Sequence, residues 1–437
     1  MLHEERIRVC EVCRNRAFDA TQGIVCGLTG ARPSFEGGCP DYDEDASRIR
    51  KREAGGRTVA PRYTSEQRRR FLLLTVPVII ALAVVIGFLH YIRAESLRQK
   101  RSEEYKRFAV MIVEQLERGN SAALDNSIHF GSLLSKASQR FDIKPGVWHR
   151  SVLDQMRLGW YLVRELRDGN RIELIDVREE GDKAFALFRI LGNTLDHIEL
   201  TLDHQSDRVW VVDLFRYSTG VLLSDAVMEP ELMRRRFGWN LVQQIYRERA
   251  LSQRLFLGYS DEVWVEINGM DPVARTSMFM RHLYLQLAGA DGDSALVVAL
   301  REIEETQACD PRFVAYTELL ISQLAGDGPT ALAALKDLQP SLGRDPWMGV
   351  LTARAHLAAG DSLLCLNALN EALAGAPFDE NLHFERLQIL AEWGRYDAAL
   401  QQADTMILIL GYSPSELAGF LDSIPGIDTS QALYDWR

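Results

Sequence analysis

Residues 171–216 read RIELIDVREE GDKAFALFRI LGNTLDHIEL TLDHQSDRVW VVDLFR, and this stretch decides how the middle of the chain folds. Apolar and polar residues alternate along Arg171–Glu179, Lys183–Leu191, Leu195–Asp203 and Arg208–Arg216. That period of two is the pattern of strands with one face on a core. Gly181-Asp182, Gly192-Asn193 and Gln205-Ser206-Asp207 separate the runs and supply turns. Four strands joined this tightly predict an antiparallel meander. The segments before them, 100–118 and 148–167, carry a helical period instead, with shorter helical pieces between Ser121 and Arg140. Helices followed by strands predict an α+β unit over 100–225, its helices covering one face of a curved sheet.

This order resembles the ketosteroid-isomerase-like cone fold, which implies a pocket inside the curved sheet. Trp160, Tyr161, His197, Asp213, Arg216 and Tyr217 are the residues expected to line it, although such side chains more commonly serve as core or rim residues. The spacing pairs no general base with an acid or a nucleophile, and fold alone does not imply an activity.

Further on, Gly292, Gly326, Gly360 and Gly394 recur at 34-residue intervals. Five positions past each glycine stand Val297, Ala331, Cys365 and Ala399, and six past stand Val298, Leu332, Leu366 and Leu400. This is a helix–turn–helix period with the glycine at the turn. It resembles tetratricopeptide repeats, most closely at Gly394-Arg-Tyr396-Asp-Ala-Ala399-Leu400. An all-α helical-repeat solenoid is expected over 279–437, ended by a capping helix that starts at Ser413-Pro414-Ser415-Glu416. Stacked repeats form a concave surface. Gln286, Leu320, Arg354 and Gln388 share one column on the first helix of each pair and are the candidate partner-binding residues. Residues 226–278, rich in arginine, read as a helical connector.

Toward the N-terminus, Phe71–Leu89 contains no charged residue, and His90-Tyr91-Ile92 completes an apolar run flanked by Arg68-Arg69-Arg70 and Arg93. As a helix it would reach roughly 33 Å, enough for a hydrocarbon core of about 30 Å. One transmembrane helix over 71–92 is therefore expected, with a capping box at Thr64 and Gln67 before it and a basic juxtamembrane linker over 46–70. The flanking Lys and Arg favour a cytoplasmic head and a periplasmic or extracytoplasmic C-terminal region.

The first 45 residues hold Cys10-x2-Cys13-x12-Cys26-x12-Cys39. Four cysteines match the ligand count of a tetrahedral site, so a structural Zn2+ is expected, with an iron–sulfur cluster as the alternative. The segments Cys10–Asp19, Gly23–Thr29 and Cys39–Tyr42 resemble a four-cysteine segment that opens many bacterial membrane proteins. That resemblance implies a layout and no activity.

The formal charge of −11 divides into +3 over residues 1–70 and −14 beyond, so nucleic acid is not expected as the partner of the large region. No phosphate-binding glycine loop, His-Glu-x-x-His or Gly-x-Ser-x-Gly is present. The whole is expected to be a multidomain, non-enzymatic, membrane-anchored scaffold that meets the lipid bilayer and binds a protein partner through its repeats. The runner-up is an enzyme or small-ligand binder using the cone pocket, and a third reading is metal or redox sensing by the cysteine head. A buried carboxylate or histidine facing Tyr161 or Arg216 would favour the runner-up, and a filled apolar cone the scaffold. Oligomeric state is not legible.

Overall fold

The computed structural model describes residues 3–55, 65–144, 157–167, 169–192, 195–206, 208–424, 426–427 and 430–436. Helices predominate, with one five-stranded antiparallel sheet and one two-stranded sheet. Contacts divide the chain into two compact units, Met1–Ala94 and Glu95–Arg437.

In the first unit, α1 (His3–Glu11) leads into a hairpin of β1 (Arg16–Asp19) and β2 (Gly23–Cys26), with Phe18 opposite Ile24. α2 (Ala46–Gly55) follows, and α3 runs unbroken from Ser65 to Glu117 across the boundary between the units. Two sequence expectations are corrected here. The first is the transmembrane helix at 71–92: among the described residues no helix is long and apolar enough to cross a membrane. The described side chains of that run begin at Ala83, and the ten residues from there to Ile92 span only about 15 Å before Arg93 and Glu95 resume a charged surface. The single-pass localisation, and the assignment of the two ends to opposite sides, fall with it. The side chains of 65–82, the capping box at Thr64, the linker residues 56–64, the start of the 148–167 helix and the turn residues Asn193 and Asp207 lie outside the described residues.

The second correction concerns the metal knuckle. All four cysteines are free thiols lining one cavity. Among the described residues, however, no group of three or more His, Cys, Asp or Glu side chains could hold a metal ion. Spacing predicted the convergence of the cysteines, but the described side chains form no group able to hold an ion, so the expected Zn2+ or iron–sulfur site has no ligand set among the described residues.

The second unit contains α4 (Ala122–Asp125), α5 (Phe130–Phe141) and α6 (Leu158–Arg167), then the sheet β3 (Arg171–Glu180), β4 (Lys183–Leu191), β5 (Leu195–Gln205), β6 (Arg208–Arg216) and β7 (Val221–Leu222) in sequential order. Register shifts at Leu174/Asp176 and Thr201/Leu202 bend the sheet, as bulges do. On one face Ala184, Ala186, Phe188 and Ile190 of β4 pack with Ile198, Leu200 and Leu202 of β5 against Tyr105, Ala109, Ile112 and Leu116 of α3. Those four α3 residues follow one helical stripe.

The helices that follow are α7 (Leu223–Phe237), α8 (Trp239–Ile245), α9 (Glu248–Phe256), α10 (Ser260–Asn268) and α11 (Pro272–Arg275). After them come the pairs α12 (Met278–Asp291) with α13 (Asp293–Thr306), α14 (Pro311–Ala325) with α15 (Gly328–Leu342), α16 (Trp347–Ala358) with α17 (Ser362–Gly375), and α18 (Glu380–Glu392) with α19 (Tyr396–Leu410). Each pair turns at one of the periodic glycines, whose φ values of 125°, 68°, 80° and 72° lie in the region that favours glycine. α20 (Pro414–Leu421) opens with a capping box at Ser413 and Glu416, and α21 (Gln431–Trp436) packs at the same end.

The second face of the sheet is also buried. Arg189, His197 and Glu199 alternate with the apolar set and lie against the helical pairs. Arg189 and His197 both bind Asp345, the His197 Nε2 to carboxylate distance being 2.7 Å. Arg312 and Arg178 hold Glu199 at 2.9 and 2.8 Å. The Tyr316 hydroxyl donates to the Leu195 carbonyl, and Arg281 donates to the Thr219 carbonyl. Leu187, Phe215 and Tyr217 of the sheet share one core with Leu283, Phe313 and Tyr316 of the helices.

Candidate ligand-binding site

At one end of the curved sheet a cavity opens between α6, the sheet, α9 and α12. Leu158, Tyr161, Leu162 and Glu165 occupy positions i, i+3, i+4 and i+7 of α6, so one helix face delivers all four. Ile198, Leu214 and Val221 form the sheet wall, Ile245 and Tyr246 the α8 wall, and Met278 and Phe279 the first turn of α12. The cavity measures about 100 Å³, somewhat less than the roughly 150 Å³ of an engineered core cavity that takes up benzene, and it opens to solvent at its mouth.

Tyr161, Arg216, Thr219, Glu248, Arg249 and His282 interrupt the apolar lining. The Tyr161 hydroxyl donates to Glu248 Oε1 at 2.6 Å, and Ser252 Oγ donates to the same oxygen at 2.6 Å. Arg216 makes a bidentate pair with Glu165 at 2.8 and 3.0 Å and gives its Nε to Asp196 at 2.6 Å. Asp196 also accepts the Ser218 amide and hydroxyl. His282 Nε2 lies 3.4 Å from Glu165 Oε1.

Burial raises the Glu248 carboxyl. Burial, and then Glu248, raises the Tyr161 phenol, so Tyr161 remains a neutral donor. Burial would lower the Arg216 guanidinium, but Glu165 and Asp196 outweigh it and hold Arg216 charged. Burial and the Arg216 charge push His282 down to about 4, which leaves its imidazole neutral near pH 7. The inner end therefore holds one guanidinium on two carboxylates, a neutral imidazole and a phenol.

Of the residues expected to line a pocket, Tyr161 and Arg216 do so. Trp160, next to Tyr161 on α6, is 40% exposed and lines an adjoining groove. Tyr217 follows Arg216 on the chain and takes the opposite face, packing between Phe215 and Tyr316. Asp213 is fully buried, accepting the Ser224 amide and hydroxyl and the Lys136 ammonium at the start of α7. His197 lies with Asp345 under the helical pairs. Glu165, Asp196, Glu248 and His282 were not anticipated. Glu165 was legible as the i+4 neighbour of Tyr161, whereas Glu248 and His282 arrive from a region read only as connector and repeat.

The four residues of the repeat column have different surroundings. Gln286 is exposed, Leu320 packs on the core, Arg354 pairs with Glu385 at 2.6 Å, and Gln388 donates to Glu392 in its own helix. Comparison with protein-family models, with curated proteins and with solved structures found no match to this chain.

Proposed function

We propose that this protein binds a small, largely apolar molecule in the cavity between α6, the sheet, α9 and α12, and that it binds without turnover. The observation that carries this reading is an open, mainly apolar cavity in which Glu248 and Arg216 are already engaged by neighbouring side chains. Such a site adds contact area and orientation, which is what binding requires. Glu248 is engaged by two hydroxyls and Arg216 by two carboxylates, so neither stands ready to move a proton or attack a carbon. The scaffold reading is weakened because the helical pairs turn a charged surface toward the sheet of the same chain, where Arg312, Ser341, Asp345 and Asp379 are already engaged. It keeps one support at the far end of the array, where Phe378, Leu408 and Tyr434 stand exposed.

The test is titration of the full chain with a neutral, polarity-sensitive dye. Saturable one-to-one enhancement is expected. Leu158→Trp, which places an indole in the cavity from its half-buried wall, should weaken binding about tenfold or more, or about 1.4 kcal/mol, with little change in melting temperature. Linear, non-saturating enhancement, or equal binding by the filled variant, would sink the proposal.

A further inference from the structure

Resting on that reading of the cavity, we propose that its ligand is an amphiphilic anion, with the apolar body among Leu162, Ile198, Leu214, Val221 and Ile245 and the charged head in the adjoining groove beside Arg157, Arg164 and Arg249. The cavity and the groove adjoin, with Tyr161 and Arg249 lining both. Their chemistry differs. The cavity walls are mostly apolar, whereas the described lining of the groove is Trp160, Tyr161, Phe256, Ser252 and Gln253 together with Arg157 and Arg249, with no carboxylate among them.

Arg164 adds a third cation. Its guanidinium lies 5.7 Å from the Trp160 ring and 5.4 Å from the Phe256 ring, so two aromatics of the groove hold it in place. None of these three arginines makes an ion pair among the described residues, in a chain where most arginines near the sheet do. An arginine held on aromatic faces keeps its donors free for a carboxylate or phosphate oxygen.

The direction of the ligand follows from the other end. Deep in the cavity one guanidinium already carries two carboxylates, Glu165 and Asp196, so fixed charge there disfavours an anion. The head must stay at the mouth while the tail enters. Glu248 sits between the two regions with one carboxyl oxygen occupied by the Tyr161 and Ser252 hydroxyls.

The experiment is displacement of the neutral dye from the full chain by dodecanoate, dodecyl phosphate, dodecanol and dodecylamine, each below its micelle concentration. The two anions should displace it about tenfold more tightly than dodecanol, with dodecylamine weakest. In Arg249→Gln and in Arg157→Gln, both at exposed positions, the ratio of anion to alcohol should fall to about threefold or less. Equal affinity for dodecanol and dodecanoate in the unaltered chain would overturn the inference while leaving the cavity reading intact. Preference surviving in both arginine variants would overturn the placement of the head. Dye that binds but is displaced by none of the four would exclude the amphiphile, and dye that never binds would remove the cavity reading itself.

Discussion

At Glu229, in α7, one carboxylate oxygen accepts the Met278 amide at 2.9 Å and the other finds no partner among the described residues. Burial is the main reason that this carboxyl is pushed up to about 7 from an ordinary 4.5. The sign follows directly. The folded chain holds this proton more tightly than the unfolded one, so the stability is complete below about pH 4.5 and is lost as pH rises through about 7. The loss is of the order of 3 kcal/mol. Glu229→Gln should therefore flatten the fall in urea midpoint between pH 5 and 8 and match or exceed the unaltered chain at pH 8. An unchanged slope would show that Glu229 is ionised at no cost. Asp225, pushed up to about 6 chiefly by burial, acts in the same direction, so some slope should remain. None of this was visible in the sequence, where Glu229 stands among the polar residues of an arginine-rich connector. Its burial comes from α12, which begins 49 residues later.

The turn between β6 and β7 carries Gly220 at φ 63°, and a Cβ there would lie 2.5 Å from Cγ of Phe313 on α14. Two constraints coincide at this residue: a left-handed backbone and an aromatic ring pressed against it. Gly220→Ala should cost about 2–4 kcal/mol, from backbone strain together with overpacking. Thermal unfolding checks it, and a shift of less than about 2 °C would mean that the ring simply moves aside. The elements themselves were largely legible. Four of the five strands in the main sheet and the helix–turn–helix units follow from local periodicity, because a strand or an amphipathic helix writes its period into consecutive residues. Two elements were misjudged. Hydropathy alone made 71–92 a membrane span, and cysteine spacing alone made a metal site. Neither signal carries the length of apolar helix that the described residues display, or whether converging thiols form a group that can hold an ion.

Across the whole molecule, Asp345 joins the sheet to the helical pairs. It binds Arg189 and His197, and its own carboxylate is buried completely. Burial opposes its ionisation, but the His197 hydrogen bond and Arg189 outweigh that and hold the carboxyl below its usual range. Asp345→Ala should destabilise the chain by about 3 kcal/mol, because Arg189 would remain buried with only Glu173 and Asp379 as partners. In urea the sheet and the helical pairs should still unfold together, since Phe215, Tyr217, Phe313 and Tyr316 belong to one core. Two separated transitions would mean that the sheet and the helical pairs are independent. The sequence by itself determined the order of elements, the strand alternation and the glycine period, all of them set by steric preferences within a few residues. Only the tertiary structure decided that the polar face of the sheet is buried, that Glu248 and His282 meet Tyr161 and Arg216, and that a cavity remains between them. Those outcomes depend on charges and surfaces separated by up to 190 residues, and nothing local records which distant side chain will satisfy a buried one.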